Sequence, residues 1–258
     1  MIVFLINLRY SSSMSATKGA LSVDMFLRDM LYVSYLLPAE RVRPIVPASL
    51  ALATIENHVF VSLVIFRGKT TALTGIPSPR FPFDQVNVRT YVIDPITGMP
   101  SVYFVRCGIS SGLITFLYKL VSGMPVEHIG YRIDADPDTE GVYTSYSATG
   151  NWHGDFSLNV REAAPVLETL PPFGSVQEAV DYLIDPLVGF YAAGSKMLRL
   201  EVFHPPLVPR VGAIEHARFP YLSLLGLLDV EAISRPHNVL LIPKTPFHIY
   251  LPPRPYRP

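Results

Sequence analysis

The sequence holds a single cysteine, Cys107, in 258 residues. That excludes an internal disulfide framework and points to a reducing compartment. Charge is scarce as well: Asp, Glu, Lys and Arg make up 16%, and Lys+Arg and Asp+Glu are both 21, for a formal net charge of zero. No basic stripe appears, which argues against a nucleic-acid partner. So thin a charged surface favours self-association, and a homo-oligomer is expected. Phosphate-cradling glycine loops are missing, both G-x-x-x-x-G-K and a strand-linked G-x-G-x-x-G, so no nucleotide cofactor is expected. No apolar run approaches the roughly 20 residues of a membrane span. The opening MIVFLINLRYSSS is short and has no preceding positive charge, unlike a secretory signal. It reads as a leader or a terminal strand, with Met14 as an alternative start, and the expected location is the cytoplasm. The seven histidines show no H-x-H or H-E-x-x-H spacing, so no metal is expected.

What is there is apolar and rich in proline: 49% hydrophobic residues and 25 prolines spread along the chain. Distributed proline stops helices and ends strands, so many short strands are expected. Strand patterns run over 31–37, 59–67, 86–93, 102–107, 126–133, 142–147, 156–161, 190–193, 198–204, 213–218 and 239–242. Turns at DPITGMP (94–100), DADPDTEG (134–141) and AAGS (192–195) join neighbours into hairpins, hence antiparallel pairs. Helices are few. The spacing predicts them over 111–121 and 176–184, with shorter pieces at 38–46 and 222–228; Gly123 and Pro125 stop the first. Strands in excess with helices inserted give a β-rich α+β barrel or sandwich. The expected organisation is a leader or terminal strand at 1–24, a single domain at 25–251 and a proline-rich tail at 252–258.

Chemistry-bearing residues are sparse. In FDQVNVRTYVID (83–94), Val86, Val88, Thr90 and Val92 alternate with Asn87, Arg89 and Tyr91. One strand face is therefore apolar and the other carries Gln85, Asn87, Arg89 and Tyr91. That polar face meets either water or a pocket, and spacing alone leaves both open. A guanidinium suits bidentate binding of a carboxylate or phosphate. GISSG (108–112) matches G-x-S-x-G between a strand and a helix, as a nucleophile elbow requires. Hairpins in place of crossovers speak against a hydrolase sheet, and Ser110 and Ser111 serve equally as helix caps. His204, His237 and His248 all remain available as a base for such a serine. MLRLEVFHPP (197–206) sets Arg199 and Glu201 on one face and Leu200, Val202 and His204 on the other. Cys107 has no basic neighbour on its face and reads as a buried small apolar residue.

Five stretches together resemble the acetoacetate decarboxylase-like superfamily: YVSYLLPAERVRPIVPASLAL (32–52), FDQVNVRTYV (83–92), GMPSVYFVRC (98–107), GMPVEHIGYRI (123–133) and RLEVFHPP (199–206). More specifically, they resemble its uncharacterised branch with an NVRTYV strand. The resemblance implies a cone-like, partly closed antiparallel β-barrel enclosing a ligand cavity. In the decarboxylase a lysine forms a Schiff base with a β-keto acid, helped by a second lysine, a glutamate and an arginine. By resemblance the arginine corresponds to Arg28, the glutamate to Gln85, and the lysine pair to Val126 and Glu127. Valine cannot form an imine, and Lys119 on the preceding helix matches no motif position.

The expectation that follows is a small-molecule enzyme without Schiff-base chemistry and without a cofactor. It is lyase-like, acting on a carboxylate- or carbonyl-bearing compound by acid–base and electrostatic catalysis. Arg89 and Arg28 hold the anion, and Gln85, Asn87, Tyr91 and Tyr103 orient it. Glu127 or His128 moves protons; adjacent on a strand, only one of them can face inward. A non-catalytic small-ligand-binding barrel and a serine hydrolase through Ser110 are the alternatives.

Overall fold

The structure is a computed structural model that describes residues 21–73, 80–164 and 170–256. Of the residues expected to form a leader or terminal strand, 1–20 lie outside these, as do the last two of the proline-rich tail. In chain order the strands are β1 (Leu21–Pro38), β2 (His58–Leu73), β3 (Pro82–Ile93), β4 (Pro100–Ile109), β5 (Val126–His128), β6 (Gly130–Pro137) and β7 (Tyr143–Asn151). They continue with β8 (Asp155–Ala164), β9 (Val188–Ala193), β10 (Lys196–Phe203), β11 (Arg210–Arg218), β12 (Asn238–Leu251) and β13 (Arg254–Tyr256). The α-helices are α1 (Ala39–Val42), α2 (Gly112–Ser122), α3 (Val176–Leu183) and α4 (Pro220–Leu224).

All three expected hairpin turns join antiparallel neighbours: β3 to β4, β6 to β7 and β9 to β10. The sheet runs β13-β10-β9-β4-β3-β2-β1-β12-β11-β8-β7-β6. It bends back on itself where β10 also pairs with β12, through Val202 opposite Ile249 and Phe203 opposite His248. That short seam turns β10, β9, β4, β3, β2, β1 and β12 into a partly closed ring, with β11, β8, β7 and β6 as an antiparallel extension. The stretch expected as one strand over 126–133 is two. β5 pairs in parallel with β4 and β6 pairs with β7, and the chain switches partners at Ile129.

α2 starts at Ser111, whose hydroxyl accepts the Ile114 N–H, and stops at Gly123 with φ 66°. A left-handed residue at that point costs glycine no Cβ clash. α3 is capped by Ser175 and ends at Ile184, ahead of Pro186. Its inner face packs Tyr182 against Tyr91, Phe60 and Phe173, an aromatic cluster under one end of the ring. In that contact Tyr91 and Tyr182 stack at 4.9 Å, and the Tyr182 hydroxyl donates to the Ala53 carbonyl.

Cys107 is buried at 2% exposure, and burial pushes its thiol far above the ordinary range. The folded protein is therefore expected to leave Ellman's reagent unreacted at pH 8, and to release one thiol per chain once unfolded in guanidinium.

Candidate functional site

The ring encloses a cavity of about 90 Å³. At roughly 10–15 Å³ per water, this holds a compound of a few heavy atoms. Its walls are mostly apolar, from Met25 and Leu27 on β1, Phe66 on β2, Phe104 on β4 and Ile249 on β12. Gly189 on β9 makes room for one of them, since a Cβ there would lie 2.5 Å from the Phe104 ring. The polar groups that interrupt this wall are Tyr32, Gln85, Asn87, Arg89, His204 and Tyr118, whose hydroxyl donates to Met25 Sδ at 3.4 Å.

β3 presents Gln85, Asn87 and Arg89 inward on alternate positions. Gln85 Nε2 donates to Asn87 Oδ1 at 2.7 Å, and Gln85 Oε1 is buried without a partner. Arg89 is 7% exposed. Its Nη2 donates to the Leu183 carbonyl at 2.5 Å and to the Tyr91 hydroxyl at 3.4 Å. The Tyr91 hydroxyl in turn donates to the same carbonyl at 2.8 Å. Leu183 is the last residue of α3, so its carbonyl is the negative end of the helix dipole, turned onto the cation. The rings of Tyr32 and Tyr91 lie 5.1 and 5.5 Å from the guanidinium carbon, within cation–π reach. Among the described residues no carboxylate pairs with Arg89, and its Nε has no acceptor. Burial pulls its pKa down, but Tyr91 and Tyr32 outweigh that and the net direction is up, so the charge is kept.

Three ionisable groups share the cavity with Arg89: Tyr32, His204 and Tyr118, the last pushed well up by burial. Burial holds Tyr32 up at about 12 against the opposing pull of Arg89, so its hydroxyl is neutral at pH 7. His204 follows β10, is 6% exposed and stacks on Phe247 at 5.3 Å. Its pKa is lowered by burial and further by Arg89's charge, against the Pro205 carbonyl 3.0 Å from Nδ1. At neutral pH the imidazole is therefore uncharged. Asp185 sits in the loop after α3 between Ile184 and Pro186, which both line the cavity. Its Oδ1 is 3.9 Å from His204 Nδ1, too far for a hydrogen bond, and has no other partner. Burial, with Asp181 nearby, raises its pKa from 3.8 to about 7.

A carboxylate raised in the folded state binds its proton more tightly there than in the unfolded chain. Stability is therefore lost as pH rises from about 4 towards 7. Asp185→Asn keeps an oxygen for the Leu207 N–H and removes the ionisation. The variant is expected to be more stable than the parent at pH 8, and to lose the parent's downward slope between pH 5 and 7, as read by urea midpoints across that range.

The expected site residues divide between the cavity and elsewhere. Gln85, Asn87 and Arg89 line it together, and the polar face of β3 meets a pocket rather than water. Tyr91 is fully buried behind Arg89 and holds the Leu183 carbonyl from outside the cavity. Tyr103 turns away from it, since its neighbours Val102 and Phe104 are the residues that face inward. Arg28 is exposed. The cause is a bulge in β1 against β2 between Arg28 and Leu31, with Asp29 at φ 52°. Before the bulge Met25 and Leu27 face inward, and after it Met30 and Tyr32 do. Strict alternation would have set Arg28 on the Met30–Tyr32 face.

Glu127 and His128 also lie outside the cavity. In β5, Val126 is the buried residue. Glu127 turns to the β7–β8 hairpin, where Oε2 accepts from Trp152 Nε1 at 3.2 Å and lies 3.0 Å from His153 Nε2. His128 is exposed, with Nε2 3.2 Å from the Ser110 carbonyl. The Ser110 hydroxyl accepts the Asp84 N–H at 2.9 Å, a structural bond, while Ser111 caps α2. Tyr32, His204 and the Leu183 carbonyl were missed. The alternation in 197–206 did set His204 on the face of Leu200 and Val202, which line the cavity.

Solved structures resemble this chain in fold at low identity. The enduracididine biosynthesis enzyme MppR complexed with pyruvate superposes with a TM-score of 0.59 at 12% identity, over 90% of each chain. An acetoacetate decarboxylase-like enzyme from Sphingomonas wittichii RW1 gives 0.59 at 11%, over 91% of this chain and 92% of that one. Acetoacetate decarboxylase from Legionella pneumophila gives 0.57 at 10%, over 91% and 87%. The fold is thus the acetoacetate decarboxylase-like cone, and the structural neighbours include enzymes. No curated protein matches the sequence significantly. Among the described residues no helix is long and apolar enough to cross a membrane. The profile of DUF2071, described as an uncharacterized conserved protein, matches residues 24–246, and the chain belongs to that family.

Proposed function

We propose that this protein binds a small organic acid in the ring's cavity through Arg89 and acts on it without forming an imine. The observation that carries the reading is the buried guanidinium without a counter-charge. A charge removed from water costs several kcal/mol unless it is paired. The Leu183 carbonyl and two tyrosine rings offset part of that cost, but no group among the described residues neutralises it. A carboxylate guest would complete the pairing with charge-assisted bonds. The apolar walls suit a short carbon chain, and the Gln85–Asn87 amide pair suits a carbonyl or hydroxyl beside the carboxylate. Among the described residues no lysine lines the cavity, which supports acid–base and electrostatic chemistry over a Schiff base.

Pyruvate, held by the solved MppR, is a suitable first probe. Titration calorimetry with pyruvate and with its uncharged amide tests the reading. Binding of the acid but not of the amide supports it, and equal binding or none rules it out. Borohydride added with pyruvate is expected to trap no adduct on any lysine. Binding without turnover of any short keto or hydroxy acid would favour a carrier.

A further inference from the structure

Resting on that anion-binding reading, we propose that His204 is the general base of the cavity and that the protein enolises a bound short 2-keto acid. The geometry fixes which nitrogen acts. The Pro205 carbonyl, 3.0 Å from Nδ1, can only accept a hydrogen bond, so Nδ1 carries the proton. In the neutral ring Nε2 then holds the lone pair. Stacking on Phe247 at 5.3 Å holds the ring plane, and the residue contributes to the cavity wall alongside Arg89 and Tyr32. With the substrate's carboxylate on Arg89, a basic nitrogen and a cation act on one small molecule.

The step is balanced without an oxidant or a second reactant. The C3–H bond breaks and its proton bonds to Nε2. The electron pair forms the C2–C3 double bond, and the carbonyl π pair moves to oxygen. Arg89 and the neutral Tyr32 hydroxyl face the negative charge that develops there. Return of the proton from the imidazolium to oxygen gives the enol; where the imidazolium first exchanges its Nε2 proton with solvent, return to C3 regenerates the ketone carrying a solvent hydrogen.

The charged and titratable groups around His204 are Arg89 on β3, Tyr32 on β1 and Asp185 after α3; β12 contributes the uncharged Phe247. Arg89 disfavours imidazolium and ionised Asp185 favours it. The base form therefore dominates at pH 7, and the rate is expected to be level there and to fall only as acid protonates the imidazole, at lower pH than for a free histidine.

The experiment follows deuterium entry at C3 of pyruvate in D₂O by proton NMR, using the full chain, with calorimetry for binding. The parent is expected to exchange pyruvate well above the buffer rate. His204→Gln is expected to lose about 100-fold or more of that rate, the usual worth of a general base, with pyruvate affinity within a few-fold. Added imidazole is expected to restore part of the rate. Arg89→Met is expected to lose binding and exchange together. Exchange at parental rate in His204→Gln overturns the proposal, as does pyruvate binding without exchange, and either leaves the binding reading standing. Absence of pyruvate binding overturns both. Should His204→Gln fail to fold, His204→Phe, which keeps a flat ring against Phe247, takes its place: exchange at the parental rate overturns the proposal.

Discussion

Arg89→Met is expected to weaken pyruvate binding by about 100-fold or more while raising the protein's melting temperature. The two effects have one cause. Truncating a partner of a desolvated charge pair costs about 2–5 kcal/mol of binding, or some 30-fold to several thousand-fold. In the free protein the same cation is a liability, buried with only a carbonyl and two ring faces for company. Replacing buried charge with an apolar side chain of similar length is often stabilising, by about 1–4 kcal/mol. The lower end applies here, because the α3 carboxy-terminal dipole already supports the guanidinium. The Leu183 carbonyl keeps the Tyr91 hydroxyl as a donor, so the substitution leaves it satisfied. At about 2–4 °C per kcal/mol for a chain of this size, a gain of several degrees is expected. Calorimetry gives the affinity and a thermal melt the stability. Lost affinity with a lowered melting temperature would mean that Arg89 is a structural residue rather than an anion hook. Arg89→Lys keeps the charge but loses the planar fork, and intermediate affinity is expected.

The trade explains why the polar face of β3 was legible as a pattern while its purpose was not. Alternation from Val86 to Val92 shows that two faces exist, but only the ring tells which faces inward. The ring closes through two residue pairs between β10 and β12, a contact between strands far apart in sequence that leaves no local mark. Hairpins left clear marks in their turns, so neighbouring pairs were readable and the closure was not. Tyr32 was hidden by the bulge at Asp29, which inverts the parity on which strand reading depends. The Leu183 carbonyl is backbone, so no side chain announces it. His204 lay on the correct face, but a histidine beside Leu200 and Val202 looks like core until the cavity is seen. Glu127 rests on motif correspondence and His128 on being its neighbour on the strand. β5 keeps its place beside β4, but it buries Val126 and turns Glu127 to Trp152 and His153.

Because the bulge sets which β1 side chains line the cavity, Asp29→Ala is expected to be among the most damaging single substitutions, at about 3–5 kcal/mol. Asp29 is 6% exposed and sits at φ 52°. Its Oδ1 accepts from the Tyr143 hydroxyl at 3.0 Å, and its Oδ2 pairs with Arg67 Nη1 at 3.1 Å. The Tyr146 hydroxyl donates to its backbone carbonyl at 3.0 Å. Alanine removes both acceptors. A buried Tyr143 hydroxyl left without a partner costs about 1–3 kcal/mol. Arg67 keeps the Ile133 carbonyl but loses its ion pair with residue 29. Alanine at positive φ adds about 1–2 kcal/mol of backbone strain, which aspartate and asparagine bear better. At about 2–4 °C per kcal/mol the melting temperature is expected to fall by roughly 10 °C. Asp29→Asn separates the contributions. It keeps the left-handed backbone and an acceptor for Tyr143 and gives up only the ion pair, so a loss of about 1–2 kcal/mol is expected, with pyruvate affinity preserved because Tyr32 stays in place. If alanine proves as mild as asparagine, neither the Tyr143 acceptor nor the left-handed backbone at residue 29 matters to stability, and the bulge holds its place in β1 by other contacts.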